Sequence, residues 1–282
     1  MSDPAELRGV QRDRWEEAAP GWEQRAATVS AAGAPVADWL VNAAQLSPGS
    51  RVLEVAAGLG DVGLQAAEIV GPEGEVVITD GAEAMVAAAS RRVDESGALG
   101  VSVVRMEAEW LDAETASFDA VLSRWGYMLV VDPEAALREA RRVLRPGGRI
   151  AIAAWRSIDQ NPWMEISRNE FESRGLTTPP APDAPDPFRF GLDGKIAEVL
   201  LAAGFVDVRV ESVELVWRLA SLDDWWEHMR STSSILGRAA RELTPAQHYE
   251  LREVLDRSYS EFLQPDGSLE LPGSTWVACA DA

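Results

Sequence analysis

Short apolar runs alternate with amphipathic stretches through the first half of the chain, and their spacing predicts strands separated by helices. The helix expected over 132–145 is the best defined, because Asp132 can cap its start, Pro133 fits its first turn and Pro146 ends it. The strands expected in this half are 51–57, 75–80, 101–106, 118–125 and 149–155. Such alternation predicts a parallel sheet covered by helices on both faces.

The pattern changes after Trp155. A mostly helical insertion separates the last two strands, so we interpret it as a cap on the sheet and not as an independent fold. At the other end, Pro20-Gly21 predicts a break in an N-terminal helical segment. The remaining expected elements are helices 5–30, 36–46, 160–175 and 193–203, a proline-rich loop 177–187, the strand 205–215, the insertion 221–263 and the last strand 273–280.

These elements divide the chain into four segments around one sheet. The expected segments are an N-terminal helical lid (1–34), an α/β core (35–220) with a loop-rich insertion (156–192), a helical substrate cap (221–264) and the final strand of the core sheet (265–282).

The first strand ends in a small-residue turn, Glu54-Val-Ala-Ala-Gly58-Leu-Gly60, that opens a helix. Glycine at 58 and 60 lets the backbone approach a ligand closely, because no Cβ stands in the way. The helix that follows offers unpaired N–H groups and the positive end of its dipole. The second strand ends in Asp80, an acid placed to accept hydrogen bonds from ribose hydroxyls. Together these features predict a nucleoside-binding α/β domain.

Composition narrows the class of protein. The 282 residues are 46% hydrophobic, enough for a substantial core, and the formal net charge of −20 would repel nucleic acid and anionic membranes. No apolar run approaches the roughly 20 residues that span a bilayer, and the N-terminus lacks a signal-peptide pattern, so we expect a cytoplasmic protein. With one cysteine, Cys279, and two histidines, neither a disulfide nor a metal site is expected.

The glycines alone do not identify the nucleoside. Residues 58–63 also match Gly-x-Gly-x-x-Gly, a fingerprint of NAD-binding domains. In those domains the first glycine directly follows the last buried strand residue, whereas Ala56-Ala57 intervene here and Glu54 interrupts the end of the strand. At this point both a dinucleotide and another adenosine cofactor stay open.

The other motifs resemble those of class I S-adenosylmethionine (SAM)-dependent methyltransferases of the ubiquinone/menaquinone-biosynthesis type, over residues 35–215. That family's first motif is an acid, two residues, a small residue and Gly-x-Gly, as in 54–60. The segment 118–123 resembles its fourth strand, and Leu144-Arg-Pro-Gly-Gly148 before strand five is a further hallmark. The resemblance implies a Rossmann-like α/β fold: a doubly wound, mostly parallel seven-stranded sheet with an antiparallel last strand and a helical cap.

The resemblance also implies SAM as the cofactor and S-adenosylhomocysteine (SAH) as its product. Asp80 would take the ribose hydroxyls, and Glu107 with the Ala108 amide would address the adenine edge. The family usually has glycine where this chain has Ala56 and aspartate where it has Glu107; alanine fits if its φ is negative. Met85 would cover adenine, and a core methionine fits that position as well. The implied cofactor contacts are Glu54, Ala56, Gly58, Gly60, Asp80, Gly81, Met85, Glu107, Ala108 and Ser123.

The acceptor would lie over the same strand ends, where aromatic side chains can stack on a planar molecule or attract a sulfonium. Core packing between cap and sheet is the alternative for each tryptophan. Arg25 is a candidate partner for the cofactor carboxylate, or a solvated charge. The expected acceptor contacts are Trp22, Arg124, Trp125, Tyr127, Trp155, Trp163 and Trp226.

In-line methyl transfer requires alignment and exclusion of water, and it requires no metal. His228 and Tyr127 are the candidate general bases, with a structural role as the alternative for His228. We therefore expect methyl transfer to oxygen, nitrogen or carbon of a small aromatic or apolar molecule. An NAD-dependent oxidoreductase and a non-catalytic SAM-binding protein are the alternatives.

Overall fold

The structure is a computed structural model that describes residues 4–181 and 184–282; the start of the expected lid and two residues of the expected proline-rich loop lie outside this range. Seven strands form one sheet. They are β1 (Arg51–Glu54), β2 (Glu75–Asp80), β3 (Val101–Arg105), β4 (Phe118–Arg124), β5 (Leu144–Trp155), β6 (Val206–Leu219) and β7 (Leu269–Asp281).

The sheet has the order β3-β2-β1-β4-β5-β7-β6. Strands β1 to β5 pair in parallel, and β7 runs antiparallel to both of its neighbours, β5 and β6. The predicted doubly wound, mostly parallel seven-stranded sheet with an antiparallel last strand is therefore confirmed. Because the chain leaves β1 for β2 on one side and returns to β4 on the other, the carboxyl end of β1 is the topological switch point, where such sheets bind ligands.

Ten α-helices cover the sheet and its carboxyl edge within the described residues. They are α1 (Pro4–Gln24), α2 (Ala26–Ala43), α3 (Asp61–Val70), α4 (Glu83–Ser96), α5 (Pro133–Val143), α6 (Pro162–Ser173), α7 (Lys195–Ala202), α8 (Leu222–Thr232), α9 (Leu236–Arg241) and α10 (Pro245–Tyr259). Short 3-10 turns lie at Tyr127–Leu129, Ile158–Gln160 and Ser260–Phe262. Helices α8 to α10 form the insertion between β6 and β7.

The expected N-terminal boundaries are wrong. Helix α1 continues through Pro20-Gly21, and the break comes at Arg25. Helix α2 then continues through Pro35, where a new helix was expected to begin. Packing explains the difference: α2 buries an apolar face that includes Val36 and Leu40 against the sheet, and tertiary burial outweighs local propensity.

Several strand and helix ends also differ from expectation. Strand β1 ends at Glu54 and not at 57, because the residues that follow form the turn into α3. Helix α5 ends at Val143, and the Arg-Pro-Gly-Gly segment expected to close it opens β5. Strand β6 runs to Leu219 and β7 begins at Leu269, since the two pair along their whole length as a long antiparallel ribbon. The expected cap of α5 is present: the Asp132 carboxylate accepts a hydrogen bond from the Ala135 N–H at 2.9 Å.

Within the described residues, no helix is both long and apolar enough to cross a bilayer. In the same residues, no three His, Cys, Asp or Glu side chains are grouped so that they could hold a metal ion.

Candidate active site at the carboxyl ends of the strands

A tight turn at residues 55–60 joins β1 to α3 at the switch point. Gly58 and Gly60 adopt left-handed φ values of 56° and 75°. A Cβ at Gly58 would have no neighbour within 4 Å, so this position opens towards the space beside the turn. A Cβ at Gly60 would instead lie 3.1 Å from Ile78 of β2. Gly60 therefore serves the packing of the turn on the sheet, and Gly58 is the position where a ligand can approach the backbone.

Ala56 does not have the negative φ that would make alanine an easy replacement for glycine. Its φ is 51°, in the left-handed region that costs a residue with a Cβ about 1–2 kcal/mol. Gly126 faces it: a Cβ at 126 would lie 2.6 Å from the Ala56 methyl. The chain thus holds an alanine in a left-handed conformation at 56, and glycine at 126 leaves room for the methyl group.

Asp80 ties the turn to the end of β2. One carboxylate oxygen accepts the Gly58 N–H at 2.9 Å, and the other accepts the Ala82 N–H at 3.0 Å. Burial raises the pKa of Asp80, and the nearby charges of Glu107 and Glu16 add to this, while the two N–H donors oppose it. Asp80 lines the cavity described below, so its carboxylate can also accept hydrogen bonds from a ligand.

Glu54 lies behind the turn and does not line the cavity. It is 1% exposed, and its carboxylate accepts the Gly63 N–H of α3 at 2.8 Å. Burial raises the pKa of Glu54 to about 8, although Gly63 and the charge of Arg124 favour the ionised form. The acid thus braces the start of α3 from inside the core.

Glu54→Gln should change how stability depends on pH. Between the ordinary pKa of 4.5 and the folded pKa of about 8, the native state holds a proton that the unfolded state has released, so the free energy of unfolding falls as pH rises. His228 has its ordinary pKa of 6.5 in the unfolded state of both proteins, so its contribution cancels in the comparison. Between pH 6.5 and 8, we therefore expect the free energy of unfolding, measured with urea, to fall by about 1–2 kcal/mol more in the wild type than in the glutamine variant. Parallel pH profiles for the two proteins would contradict this assignment.

The residues expected around adenine lie together at the ends of β2 and β3. Gly81, Met85, Glu107 and Ala108 all line the cavity. Met85 is 1% exposed and packs with small side chains of α1 and α4, so it both fills the core and borders the cavity. The Glu107 carboxylate lies 3.6 Å from the Arg12 guanidinium of α1, a partner that the sequence pattern does not indicate.

One continuous cavity of about 670 Å³ extends from this turn to the cap, a volume typical of small-molecule sites. Besides Trp15 and Trp22 of α1, five tryptophans of the sheet and the helices after it border the cavity, and we refer to these five as the aromatic wall. Their ring centroids lie 4.2 to 5.6 Å apart along the series 125, 155, 163 and 217. The members are Trp125, Trp155, Trp163, Trp217 and Trp225. They pack against one another and also line the cavity, so core packing and a role as wall coexist.

His228 lies in the aromatic wall. Its ring is 5.1 Å from Trp217 and 5.7 Å from Trp225, and it borders the cavity. Its Nδ1 is buried with no hydrogen-bond partner among the described residues. Burial lowers the pKa of His228 to about 4, and the Arg25 cation contributes while Asp224 opposes it. The imidazole is therefore neutral at pH 7.

Four other residues named from the sequence point away from the cavity. Ser123 and Tyr127 are buried in the core, and burial raises the pKa of the Tyr127 phenol. Trp226 packs against His248 at 5.0 Å on the far side of α8. Arg25 pairs with Asp224 of that helix. Among the residues expected in the site, the structure therefore separates these four, with Glu54 and Gly60, from those that border the cavity.

Arg124 borders the cavity and organises the start of α3. Its guanidinium is paired with Asp61, the first residue of that helix, and its Nη1 has no partner among the described residues. A Cβ at Gly33 would lie 2.3 Å from that Nη1. Glycine at this position of α2 thus makes room for the arginine.

Helix α1 covers the cavity and is held by contacts on both sides. Glu16 accepts the N–H groups of Glu83 and Ala84, at 2.6 and 2.8 Å, and so caps α4 from outside. On the other side, the Trp22 indole donates to the Thr232 carbonyl at 2.9 Å. These contacts connect the sheet half of the site to the cap.

Gly21→Ala should loosen α1. A Cβ at 21 would lie 2.0 Å from the Ser231 carbonyl oxygen, so α1 would have to move away from α8. Overpacking of this kind costs about 1–3 kcal/mol, which should speed backbone hydrogen exchange in α1 and weaken SAH binding about 5- to 150-fold. Gly9→Ala is the matched control on the same helix, because its Cβ would meet only Arg12, at 4.0 Å. Equal exchange and equal affinity in the two variants would contradict a closing role for α1.

The sequence pattern missed two kinds of cavity residue. Trp217 lies on the part of β6 beyond the expected strand end, and the alternation of buried residues at 215, 217 and 219 is the signal that would have found it. Arg14 and Arg168 also border the cavity, and no local pattern distinguishes them from solvated charges.

The chain matches known methyltransferases over part of its length. Residues 37–171 match the ubiE/COQ5 methyltransferase family. Over 106 residues the chain is 42% identical to the ubiquinone/menaquinone biosynthesis C-methyltransferase UbiE of Ectopseudomonas mendocina. The matched residues make up 37% of this chain and 41% of that protein. The chain thus spans less than half the length of this relative.

Solved structures share the fold. The YcgJ protein of Bacillus subtilis aligns with a TM-score of 0.57 at 18% identity, covering 87% of this chain and 97% of that one. Phosphoethanolamine N-methyltransferase 2 of Haemonchus contortus, in complex with SAM, aligns with a TM-score of 0.50 at 19% identity, covering 92% of this chain and 52% of that one.

The resemblance to SAM-dependent methyltransferases of the ubiquinone/menaquinone-biosynthesis type is confirmed by the family match. The family that residues 37–171 match consists of methyltransferases that use SAM as the cofactor. The site suits such a cofactor: a carboxylate at the end of β2 for the ribose, an open glycine at 58 and an acid at 107 all border the same cavity.

Proposed function

We propose that this protein transfers a methyl group from SAM to a small planar molecule held against the aromatic wall. The single observation that carries the proposal is the continuity of the cavity, in which Asp80 and the Gly58 turn share one space with the tryptophans. A cofactor and an acceptor bound in one enclosed space can meet, as in-line transfer requires. We place this activity in the cytoplasm and on a small molecule, since the net charge of −20 disfavours nucleic acid.

The cofactor half of the cavity would bind SAM through few groups. Asp80 accepts hydrogen bonds from the ribose hydroxyls, Glu107 and the Ala108 amide hold the adenine edge, and the backbone at 56–58 lies along the amino-acid part. When bound, SAM supplies an electrophilic methyl group on a positively charged sulfur, and transfer leaves that sulfur neutral. Arg124 and Asp61, which neutralise one another, fix the turn that these contacts require.

The aromatic wall would bind and align the acceptor. Trp125 and Trp155 stack at 4.2 Å with an interplanar angle of 18°, which presents flat surface to a planar molecule. Aromatic faces also attract a cation, by about 0.5–2 kcal/mol each. With α1 over the cavity, the same side chains exclude water from the reacting atoms.

His228 would take the proton that the acceptor loses. The bond from the acceptor to its hydrogen breaks as the new bond to carbon forms, and the proton passes to a ring nitrogen of the neutral imidazole. Because the sulfur loses its charge in the same step, the cavity holds one positive charge before and after. This makes protonation of a group whose resting pKa is about 4 less costly than it is in the free protein.

Two segments complete the proposal. The N-terminal lid, 1–34, and the cap, 221–264, close the site from opposite sides, and the core and final strand carry the cofactor. The contacts of Glu16 with α4 and of Trp22 with α8 support this division.

Turnover tests this function. The purified protein would be incubated with SAM and a panel of hydroquinones, catechols and hydroxynaphthalenes, with SAH and methylated product measured by mass spectrometry. The panel includes quinols because the name of the UbiE relative refers to quinone biosynthesis. We expect SAH to form in stoichiometric amounts with a methylated aromatic product. SAH binding without methylation of any of these compounds would favour a non-catalytic SAM-binding protein.

A further inference from the structure

Six arginines border the cavity, and five of them are neutralised within the protein. Arg8 pairs with Glu109 and Arg12 with Glu107 on the cofactor side. The other three pairs are Arg124 with Asp61, Arg168 with Asp186 and Arg238 with Glu17. The Arg14 guanidinium forms no ion pair with any described residue, and the one hydrogen bond it makes among them is long, 3.5 Å, to the side chain of Gln11.

Arg14 borders the cavity near the cap, because it interacts electrostatically with Arg238 of α9. Leu7, Gln11 and Arg14 follow one another at helical spacing along one face of α1, and all three border the cavity. Arg8 and Arg12 lie on the neighbouring face and point to the adenine side. Arg14 thus lies on a different face of α1 from the two arginines that pair with Glu107 and Glu109.

A second cavity arginine, Arg238 of α9, lies near Arg14. Glu17 is shared between Arg238, at 2.6 Å, and Arg241, at 3.5 Å. Glu172 and Glu242 border the cavity as well, and among the described residues neither forms an ion pair with Arg14 or Arg238. Burial lowers the pKa of Arg14, and the nearby charge of Arg238 lowers it further. In a chain with a net charge of −20, an uncompensated arginine facing a cavity is unexpected.

We propose that Arg14, with Arg238 beside it, binds an anionic group on the methyl acceptor. The inference rests on the function proposed above and makes it more specific: the acceptor is a planar aromatic acid, whose ring lies against the aromatic wall and whose carboxylate or similar anion reaches α1. A guanidinium fits such a group because it can donate two parallel hydrogen bonds to it.

Matched probes test the charge requirement without knowledge of the acceptor. In the presence of saturating SAH, binding of naphthalene-2-carboxylate and of naphthalene-2-carboxamide would be measured by quenching of tryptophan fluorescence. We expect the carboxylate to bind at least about tenfold more tightly to the wild type, as one charge-assisted contact provides. The preference should disappear in Arg14→Gln and persist in part in Arg14→Lys. Arg257→Gln, which changes an exposed arginine of α10 that does not border the cavity, should keep it.

Three outcomes would overturn the inference. The first is that the wild type shows no preference for the carboxylate, which includes failure of either probe to bind. The second is that Arg14→Gln keeps the wild-type preference. The third is that Arg14→Gln loses affinity for SAH, which would assign the arginine to the cofactor carboxylate. Failure of the wild type to bind SAH would instead remove the proposed function itself, so the two failures are distinguishable.

Discussion

Asp80→Ala is expected to weaken SAM and SAH binding by about 1.5–3 kcal/mol, roughly 10- to 150-fold. Two losses add up in this variant. The ribose hydroxyls lose a charged acceptor, and the N–H groups of Gly58 and Ala82 lose the carboxylate that now holds the turn at 2.9 and 3.0 Å. Calorimetric titration with SAH measures the effect directly.

Asp94→Ala is the matched control for Asp80→Ala. It removes the same charge from an exposed position on α4, far along the helix from the turn, and should leave the affinity unchanged. A folded Asp80→Ala protein with wild-type affinity would exclude Asp80 from the cofactor site, whatever the control shows.

His228→Phe is expected to lower the rate of methyl transfer about 100-fold, at the lower end of the range for general acid–base catalysis. Phenylalanine keeps an aromatic ring between Trp217 and Trp225 but has no nitrogen to take the proton. Since the ring packing survives, SAH affinity should change less than about twofold. Because the folded pKa is about 4, the wild-type rate should not titrate with His228 between pH 5 and 8.

His248→Phe is the control that distinguishes loss of a base from a general effect of replacing histidine with phenylalanine. His248 contacts Trp226 outside the cavity, so the same substitution there should leave the rate unchanged. If His228→Phe transfers methyl groups at the wild-type rate, His228 is a member of the aromatic wall and not a base, and the proton leaves by another route.

The core of the fold could be read from the sequence because each part carried a local signal. Short, mostly apolar runs alternate with helical stretches, and the turn after Glu54 needs glycine at 58 and 60 for its left-handed backbone. The helix boundaries near the N-terminus could not be read in the same way. Pro20 and Pro35 are local break signals, but the apolar face of α2 is buried on the sheet and keeps the helix continuous.

The cofactor half of the site was more predictable than the acceptor half for a similar reason. Asp80 and Gly58 belong to segments whose order and spacing fix their position at the switch point. Tyr127 and Trp226 are close in sequence to residues of the site, which is why the sequence predicts them there. In the structure the Tyr127 side chain is buried in the core, and Trp226 packs against His248 of α10. Whether an arginine such as Arg14 is paired depends on partners distant in the chain, and no spacing encodes that.

Titration calorimetry of the purified protein with SAH, and with NADH as the comparison, tests the central claim most directly. The cavity bordered by Asp80, Gly58 and Glu107 predicts micromolar binding of SAH and no heat with NADH. Binding of NADH alone would mean that the Gly-x-Gly-x-x-Gly match at 58–63 identified the nucleoside, and an NAD-dependent oxidoreductase would replace the methyltransferase.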